Sequence, residues 1–539
     1  MVLFCRCFCW GLLGYLVLSS PSRAEESHSW ANVYHPTTEC ELLYDVYLAN
    51  TVAAPGTANI IDLGGLVFEY PQDCVAYWAP SGMGNCASTL GLASDPGANA
   101  VCLSNPASGE YAFGPTALPE LYQNMTFTNG RIIRSESASG PNANFRLMTI
   151  LSDAVSLEVS LFKVALENGN AQPATNDNGN GGAIYVAAFS SNPPFSPLGC
   201  VTLTLNTVKL GHNFANDSGG GLYIGESAQA DISTTIISNN AAAGNDPTAG
   251  NNGGGGIAIS VDGSLSSMVN SSIMHNYSQG LGGGVNNQGI ATDIANNTFA
   301  FNLNCVPVEG SGECEHGSDP SGVGGGWYND SSAILLELTQ NTFYGNIALS
   351  GGGLYNEAGP TSAVYLNNNT FTNNQASMGG GGIDNEGVIG QFVSNLIAGN
   401  LDLGISSQAS PDLLNDGAIV MTGTPISGLI VEGYNLIGNC GACTPSPCTA
   451  PCTLVDDVNF DIVGSSMNPI APKFDGALRR NGGPTQTVAL APDSPAVDNG
   501  LNNLGLSYDQ RGPGHPRVVS GTCDIGSFEL LYDFPDWPN

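Results

Sequence analysis

Short stretches of alternating apolar and other residues recur along most of this chain. In the segment 222–224, Leu222 and Ile224 are apolar on either side of Tyr223, and a similar alternation runs through 155–161 and 201–205. Successive side chains of a strand point to opposite faces, so this pattern predicts strands that bury one face and present the other. The stretches are short and numerous, which indicates an all-β chain.

Two sequence elements repeat together with these strands. The first is a block of two or three glycines before a large apolar residue, with blocks beginning at residues 181, 219, 254, 282, 324, 351 and 380. The second is an apolar residue, two spacers and Asn, and it ends at Asn213, Asn239, Asn276, Asn302, Asn346, Asn374, Asn400 and Asn439. These asparagines are 26, 37, 26, 44, 28, 26 and 39 residues apart. The spacings indicate a repeating unit of about 26 to 28 residues with loops inserted in some copies.

A repeat of this length predicts a parallel β-helix, a solenoid in which each unit forms one coil. Glycine and asparagine at this density exclude an array of helix pairs. Tight corners need positive φ, which glycine adopts freely and asparagine tolerates, and an Asn amide can pair with the equivalent amide one coil away. We therefore expect an asparagine ladder after the last four glycine blocks, formed by Asn287, Asn329, Asn356 and Asn385.

The sequence predicts four parts. Arg6, the apolar stretch 8–18 and Ser22-Arg23-Ala24 are typical of a signal peptide over 1–24, although a retained membrane anchor is the alternative. We expect the mature chain to have no integral membrane segment and to form a monomeric rod. The mature parts are an N-terminal cap with first coils and a cysteine-rich insertion (25–150), a repeat region (151–435), and C-terminal coils with a terminal module (436–539).

The charge of the chain restricts its partners. It has 46 Asp and Glu against 12 Lys and Arg, a formal net charge of -34. This balance argues against binding nucleic acid or an anionic membrane through charge, and favours cations or neutral glycans. Between Lys163 and Lys473 the only Lys or Arg is Lys209. A polysaccharide lyase needs a strong base such as Lys or Arg, and Lys209 alone does not provide that chemistry.

Twelve cysteines follow the predicted signal peptide, an even number in an oxidising compartment, so we expect disulfides. Four of them, Cys40, Cys74, Cys86 and Cys102, cluster before the repeats. The disulfide candidates beyond them are Cys305 and Cys314, which bracket an inserted loop, and Cys440, Cys443, Cys448 and Cys452, which share a Pro/Thr-rich loop. Zinc at Cys440 and Cys443 is a less favoured alternative, because no histidine or second matching pair accompanies them.

Two outward columns of side chains are candidate binding sites. Tyrosine follows the apolar residue in four of the seven blocks, at Tyr185, Tyr223, Tyr328 and Tyr355. These rings can stack on sugars, although a stack that only stabilises the sheet is the preferred interpretation. Asp330, Glu357 and Glu386 share one offset after the glycine blocks. We consider solvated turn residues first, a weak Ca²⁺ site second and a catalytic carboxylate pair last.

Several motifs resemble known families. Gly-Gly-Ala-Ile at 181–184 and Phe-x-x-Asn at 299–302, 343–346 and 371–374 resemble the paired repeats of chlamydial polymorphic membrane proteins. The C-terminal region resembles the choice-of-anchor Q module of bacterial surface β-helices, on motifs at 435–438, 481–487, 494–498, 509–512 and 523–529. Segments 40–51 and 59–65 are similar to the cysteine-led helix and first strand of such proteins. The resemblance implies an all-β, right-handed parallel β-helix (a pectin-lyase-like solenoid) with a short N-terminal capping helix and an exported location, and it implies no established activity.

Together these features predict an exported protein, extracellular or at the cell surface, that adheres to or binds a polysaccharide or a cell-surface protein without catalysis. A polysaccharide-active β-helix enzyme and a structural rod are the alternatives. Beyond Ca²⁺ at the acidic column, we expect no cofactor. In the C-terminal module we expect Arg511, Asp498 and Asp524 to form an ion-pair network that closes the last coil.

Overall fold

The computed structural model describes residues 32–531 except 52–57, 81–83, 85, 93, 104–112, 140–141, 153–155, 174–178, 189–199, 245–251, 305–321, 404–409, 420–432, 442–453, 455 and 457. The predicted signal peptide and the disulfide candidates Cys305, Cys314, Cys443, Cys448 and Cys452 lie outside the described residues. No helix in the described part of the chain is both long enough and apolar enough to cross a membrane.

Three sheets of parallel strands confirm the predicted right-handed parallel β-helix. The first sheet has 22 strands: β1 Asn32–Tyr34, β2 Asn59–Asp62, β3 Val67–Tyr70, β4 Met125–Arg134, β6 Leu157–Glu167, β9 Val201–Asn206, β10 Lys209–Gly211, β13 Ala228–Ser233, β14 Ile236–Ser238, β17 Ser264–Val269, β18 Ser272–Met274, β21 Ile290–Ala295, β22 Thr298–Ala300, β25 Ile334–Thr339, β26 Thr342–Tyr344, β29 Val364–Asn367, β30 Thr370–Thr372, β33 Val388–Val393, β34 Leu396–Ile397, β37 Ala418–Ile419, β38 Leu436–Ile437 and β39 Ile462–Val463.

The other two sheets are narrower. The second sheet has nine strands: β5 Met148–Ser152, β8 Ile184–Ala188, β12 Leu222–Ile224, β16 Ile257–Ile259, β20 Val285–Asn287, β24 Trp327–Asn329, β28 Leu354–Asn356, β32 Ile383–Asn385 and β36 Leu413–Asn415. The third sheet has eight strands: β7 Asn170–Ala171, β11 Phe214–Ala215, β15 Ala241–Ala242, β19 Tyr277–Ser278, β23 Leu303–Asn304, β27 Ile347–Ala348, β31 Gln375–Ala376 and β35 Leu401–Asp402.

The coil over 222–256 shows how the sequence repeat becomes structure. The chain passes through β12 of the second sheet, β13 and β14 of the first sheet and β15 of the third sheet, and then enters the next glycine block. Thr234 and Asn239 have φ of 50° and 56° and form the bends before β14 and β15. The repeat asparagine Asn239 is thus a corner residue here, and His212, His275 and Phe301 take the same positive φ at the equivalent bend of other coils.

The glycine block is required by both its conformation and its close stacking. Gly219 has φ of +69°, and a Cβ at Gly220 would lie 2.3 Å from the carbonyl oxygen of Gly255 in the next coil. No side chain fits at that distance. Each block therefore lets one coil approach the next closely enough for the strands on either side to pair.

Apolar side chains stack in columns inside the coils. The rings of Phe299, Phe343 and Phe371 lie parallel in successive coils, with centroids 4.5 and 4.4 Å apart. Trp327 packs edge-on against Phe299 at 5.7 Å. All four side chains are fully buried. Stacked aromatic rings of this kind bury a large apolar area in each coil, which stabilises the array.

The N-terminal end is covered by helices, as the predicted capping helix requires. They are α1 Glu39–Thr51, α2 Cys74–Trp78, α3 Cys86–Leu90 and α4 Ala98–Cys102, and a 3-10 turn at Pro360–Ser362 lies in a later coil. Leu42, Leu43 and Val46 of α1 are fully buried. A disulfide joins Cys40 to Cys86, and another joins Cys74 to Cys102. The cysteine-rich insertion is therefore a cross-linked part of the cap.

Three cysteines lie beyond the cap in the described residues. Cys200 and Cys440 are also disulfide-bonded. Cys523 is buried and free, so the expected disulfides do not include it.

The C-terminal module packs along the side of the first sheet. The Thr298 hydroxyl donates to the carbonyl oxygen of Gln486 at 2.6 Å, and the Thr342 hydroxyl donates to Gln510 Oε1 at 2.6 Å. The backbone N–H of Ser527 donates to the Thr370 hydroxyl at 3.0 Å. These outward-facing threonines of β22, β26 and β30 are buried because the module covers them.

The expected role of the module's charges is therefore corrected. Arg511 pairs with Asp509, with 2.6 Å between Nη2 and Oδ2, and both side chains are buried. Asp524 accepts the backbone N–H of Asp498 at 2.8 Å and does not pair with Arg511. The network of buried charges stabilises the C-terminal module itself. The module lies along the side of several coils because polar side chains on the outer face of the first sheet form hydrogen bonds with it.

Candidate functional site

The four asparagines predicted to form a ladder lie at the ends of successive second-sheet strands. Nδ2 of Asn287 donates to Oδ1 of Asn329 at 2.8 Å, Asn329 donates to Asn356 at 2.9 Å, and Asn356 donates to Asn385 at 2.7 Å. Asn385 continues the series to Asn415 at 2.6 Å. All four predicted side chains are fully buried. They hold coils together and present no group to solvent.

Two further ladders were missed from the sequence. One joins side chains at the corner before the third sheet: Asn213, Asn240, Asn276, Asn302, Asn346, Asn374, Asn400 and Asp412. The other lies at the bend within the first sheet: Asn297, Asn341, Asn369, Asn395, Asn435 and Asp461. The ladder that begins at Asn297 could have been predicted from the sequence, because an asparagine lies five residues before each of Asn302, Asn346, Asn374 and Asn400.

The four candidate tyrosines form two separate stacked pairs on the outer face of the second sheet. The rings of Tyr185 and Tyr223 are 5.3 Å apart, and those of Tyr328 and Tyr355 are 5.9 Å apart. Ala258 and Asn286 occupy the same column between the pairs. A four-ring platform does not exist, and in each pair one ring face is occupied by the partner ring.

The acidic column lies beside the second tyrosine pair. Asp330, Glu357 and Glu386 follow residues that are aligned in register on three successive coils, and Asp416 follows the next one. Asp330 is buried and accepts the backbone N–H and hydroxyl of Ser332, both at 2.8 Å. Glu386 and Asp416 are exposed. The column therefore changes from a buried structural carboxylate to free surface carboxylates along the rod.

A tyrosine hydroxyl joins the two columns. Tyr328 donates to Glu357 Oε2 at 2.8 Å, and Asp330 Oδ2 lies 3.3 Å from the same hydroxyl. Burial, followed by the nearby carboxylates, raises the pKa of the Tyr328 and Tyr355 hydroxyls, which keeps both protonated. Tyr328 is buried, while Tyr355 is half-buried and reaches the surface.

Asp384 was not predicted and occupies the tyrosine position in the coil after Tyr355. Its side chain is 2% exposed and hydrogen-bonds the Ser350 hydroxyl, while its Oδ1 has no hydrogen-bond partner. Burial raises the pKa of Asp384 to about 7, and the Ser350 hydroxyl opposes this effect. The carboxylates of Glu386, Asp416 and Asp402 raise it further. A break in the tyrosine column was the only sequence signal for this residue.

We call Tyr328, Tyr355, Asp384, Glu357 and Glu386 the aromatic–acidic strip. Burial, followed by Asp416 and Glu357, raises the pKa of Glu386. Within the described residues, no group of three or more His, Cys, Asp or Glu side chains is arranged to hold a metal ion. The strip offers a half-exposed ring and several hydrogen-bond acceptors, the chemistry that recognises sugar hydroxyls.

Another carboxylate pair lies on the outer face of the first sheet. Asp293 and Glu337 are paired in register on adjacent coils. Burial raises the pKa of both groups, and the charge of Asp293 raises that of Glu337 further. Adjacent coils are about 4.8 Å apart, which places the two carboxyl groups close to the separation found in retaining glycosidases.

Comparison with known proteins found no match: no family model matches the chain, and no curated protein or solved structure matches it significantly.

Proposed function

We propose that this chain is an exported β-helix rod that binds a glycan or another surface component through the aromatic–acidic strip, without catalysing a reaction. The observation that carries the proposal is the position of Asp384 beside Tyr355 in register. Here a half-exposed ring adjoins a buried carboxyl group whose Oδ1 has no partner. An unsatisfied buried acceptor is costly, and a ligand that displaces the groups covering Asp384 would satisfy it with a sugar hydroxyl.

The strip favours binding over acid–base catalysis. Of its carboxylates, Glu357 already accepts the Tyr328 hydroxyl, and the adjacent Asp330 is held by Ser332. A general acid–base pair needs two carboxyl groups free to exchange protons with a substrate on opposite sides of a bond. The strip instead runs along one face of the rod, which suits a ligand that lies along the surface.

Export and family relationship belong to the same proposal. The signal-peptide pattern at residues 1–24 and the disulfides Cys40–Cys86 and Cys74–Cys102 support an oxidising compartment. Four of the five motifs that resemble the choice-of-anchor Q module fall in one unit on the side of the rod, where Gln486, Gln510 and Ser527 contact the first sheet. The motif at 435–438 instead includes β38 of the first sheet. We infer that the chain is related to exported bacterial β-helices that carry this module.

The test is a binding and cleavage assay on residues 25–539. The protein is incubated with insoluble neutral and acidic polysaccharides, with and without Ca²⁺, and both co-sedimentation and new reducing ends are measured. Tyr355→Ala and Asp384→Asn should each lower binding roughly three- to tenfold. Tyr365→Ala is the matched control, because Tyr365 is an exposed tyrosine on the first sheet.

Each outcome has one meaning. Binding without new ends that is lost in the Tyr355 variant and kept in the Tyr365 variant supports the proposal. Equal loss in both variants contradicts a role for the strip. No binding to any polymer rejects glycan recognition and leaves a structural rod.

A glycoside hydrolase is the second candidate, because Asp293 and Glu337 are one coil apart on an exposed face. New reducing ends in the same assay, abolished by Glu337→Gln and unaffected by Glu386→Gln, would establish it. Neither variant removes a core side chain, so melting temperatures should match the parent protein.

A further inference from the structure

Three of the few cationic side chains of the coils lie close together. Between residues 25 and 472 the chain contains five Lys or Arg: Arg131, Arg134, Arg146, Lys163 and Lys209. Arg146 is buried and donates to the carbonyl oxygen of Phe113, and Arg134 donates to that of Ala143 at 2.5 Å. The other three line a single open groove on the outer face of the first sheet.

Strand register brings these three residues together from three coils. Arg131 of β4 pairs with Ala165 of β6, and Ala165 pairs with Lys209 of β10. Lys163 has φ of 56° at a bend inside β6 and is exposed. With coils about 4.8 Å apart, the backbones of Arg131 and Lys209 are about 10 Å apart along the rod.

The groove has an apolar floor and a positive rim. Its volume is about 510 Å³, and its lining includes Ala165, Val208 and Ile236 but no Asp or Glu. Ile236 is 40% exposed and pairs in register with Lys209 on the adjacent coil. A flat apolar floor between cations suits the face of a sugar ring that carries an acidic group.

Among the described ion pairs, Glu167 is the carboxylate that binds the groove's cations. Glu167 accepts Arg131 Nε at 3.0 Å and also pairs with Lys209. Burial raises the pKa of Glu167, but the hydrogen bonds from Lys209 and Arg131 outweigh it, so the pKa is lowered and the group stays ionised. Lys163 lies over the Phe162 ring at 4.9 Å and has no carboxylate partner among the described contacts. Asp62, which binds Asn129 of the groove lining, is a second carboxylate nearby. The three cations therefore exceed the two carboxylates at this place, in a chain whose net charge is -34.

We propose that this groove binds a segment of an acidic polysaccharide, a chain of sugars that bear carboxylates or sulfates. Cations on alternate coils match anions that recur along an extended polymer, and Lys163 adds a third contact between them. The surrounding negative charge disfavours a dense polyanion such as nucleic acid, which would extend past the groove. The site lies on the first sheet and is separate from the aromatic–acidic strip, so either one can fail alone.

The experiment measures binding of an oligogalacturonate to the chain over residues 25–539 by calorimetry. Its methyl-esterified form is the matched neutral probe, and a sulfated oligosaccharide tests the other anion. Lys163→Gln should weaken oligogalacturonate binding roughly three- to fivefold, and Lys163→Gln with Lys209→Gln roughly tenfold or more. Lys473→Gln removes an exposed cation outside the groove and should leave affinity unchanged. Affinity should fall as salt is raised.

The results separate cleanly. A carboxylate-binding groove is supported if the protein prefers the free acid over its ester, and if this preference is lost in the Lys163 variants and kept in the Lys473 variant. If the sulfated probe binds more tightly and the variants have the same effects, the groove is assigned to sulfated glycans. Equal binding of acid and ester, no binding of either anion, or tighter binding of a single-stranded oligonucleotide would overturn the proposal. The Lys163 variant tests the groove without affecting folding, because that side chain is exposed.

Discussion

Nδ2 of Asn400 donates a hydrogen bond to Oδ1 of Asp412 at 2.8 Å, and the backbone N–H of Asn400 donates to the same oxygen at 2.9 Å. The preceding asparagines of this ladder, from Asn213 to Asn374, make the same two contacts with the asparagine of the next coil. Asp412 ends the series because a carboxylate accepts and has no amide hydrogen to pass on.

Asp412→Ala should destabilise the protein by about 2–6 kcal/mol. The variant leaves two buried donors of Asn400 without an acceptor, and each such group costs about 1–3 kcal/mol. Chemical denaturation measures the free energy of unfolding, and Asp262→Ala is the control because Asp262 is exposed. Equal stability of the two variants would show that the ladder end contributes little.

The two kinds of asparagine ladder should differ in strength. Asn346 uses its amide and backbone N–H in bonds to Phe299 and Asn374 and accepts two more from Asn302. Asn356 makes fewer bonds, to Asn329, Asn385 and Ala358. Asn346→Ala should therefore lower the melting temperature more than Asn356→Ala, and neither should alter binding at an exposed site. The reverse order would contradict this account.

The protein should be more stable in mild acid than in mild base. Burial raises the pKa of Asp384 and Asp412 to about 7, that of Asp461 to about 6 and that of Glu529 to about 8. In the unfolded chain these groups have pKa values of 3.8 (Asp) or 4.5 (Glu). At a pH between those values and the raised pKa values, the folded protein binds more protons than the unfolded chain, so the free energy of unfolding falls as pH rises.

Glu167, whose pKa is lowered, acts in the opposite sense at lower pH. Melting temperatures at about pH 5 and pH 8 test the prediction, with Asp412→Asn expected to reduce the difference. A melting temperature that rises towards pH 8 would count against it.

The disulfide between α1 and α3 should stabilise the N-terminal cap. Cys40→Ala with Cys86→Ala opens a loop of 46 residues, and such a cross-link contributes about 2–4 kcal/mol. Hydrogen exchange should then show earlier exchange in α1, where Leu42 and Leu43 are buried, than in the later coils. Cys523→Ala is the control, because it removes a buried sulfur and no disulfide. Unchanged protection of α1 would contradict the prediction.

Gln510 should hold the C-terminal module on the first sheet. Its Nε2 donates to the carbonyl oxygen of Asn297 at 3.0 Å, and its Oε1 accepts the Thr342 hydroxyl at 2.6 Å. Gln510→Ala leaves buried polar groups unpaired and should make residues 465–531 sensitive to protease before the coils are. Asn499→Ala, outside this contact, is the control. Simultaneous cleavage of module and coils would show that they do not separate.

The repeat made most of the fold predictable. Glycine blocks and apolar alternation predicted the coils, and the helix after Cys40 was expected from its resemblance to other capped rods. The ladder at Asn287 was predicted because equal offsets from a glycine block place residues in register. The lateral position of the module was not predictable, since contacts such as Gln510 with Asn297 join residues 213 apart and follow no period.

The candidate sites were predictable only where the repeat is regular. Glu357 and Glu386 were aligned correctly because the blocks that precede them begin 29 residues apart, at 351 and 380. Arg131 and Lys163 lie before the first glycine block, where no motif indicates which residues share a column. Arg131 and Lys163 lie close to Lys209 because of the length of β6, which is seen only in the folded chain.

The direction of the amide contacts gives each long ladder two chemically different ends. Both long ladders terminate in an aspartate, Asp412 in one and Asp461 in the other. Both aspartates are buried, and Gly438 of a later coil lies against Asp412, so the ladders end inside the molecule and are not presented to a second copy. Exchanging a nitrogen for an oxygen in two side chains thus gives each amide series a fixed last member, while strand pairing continues beyond Asp412 to Ile462–Val463.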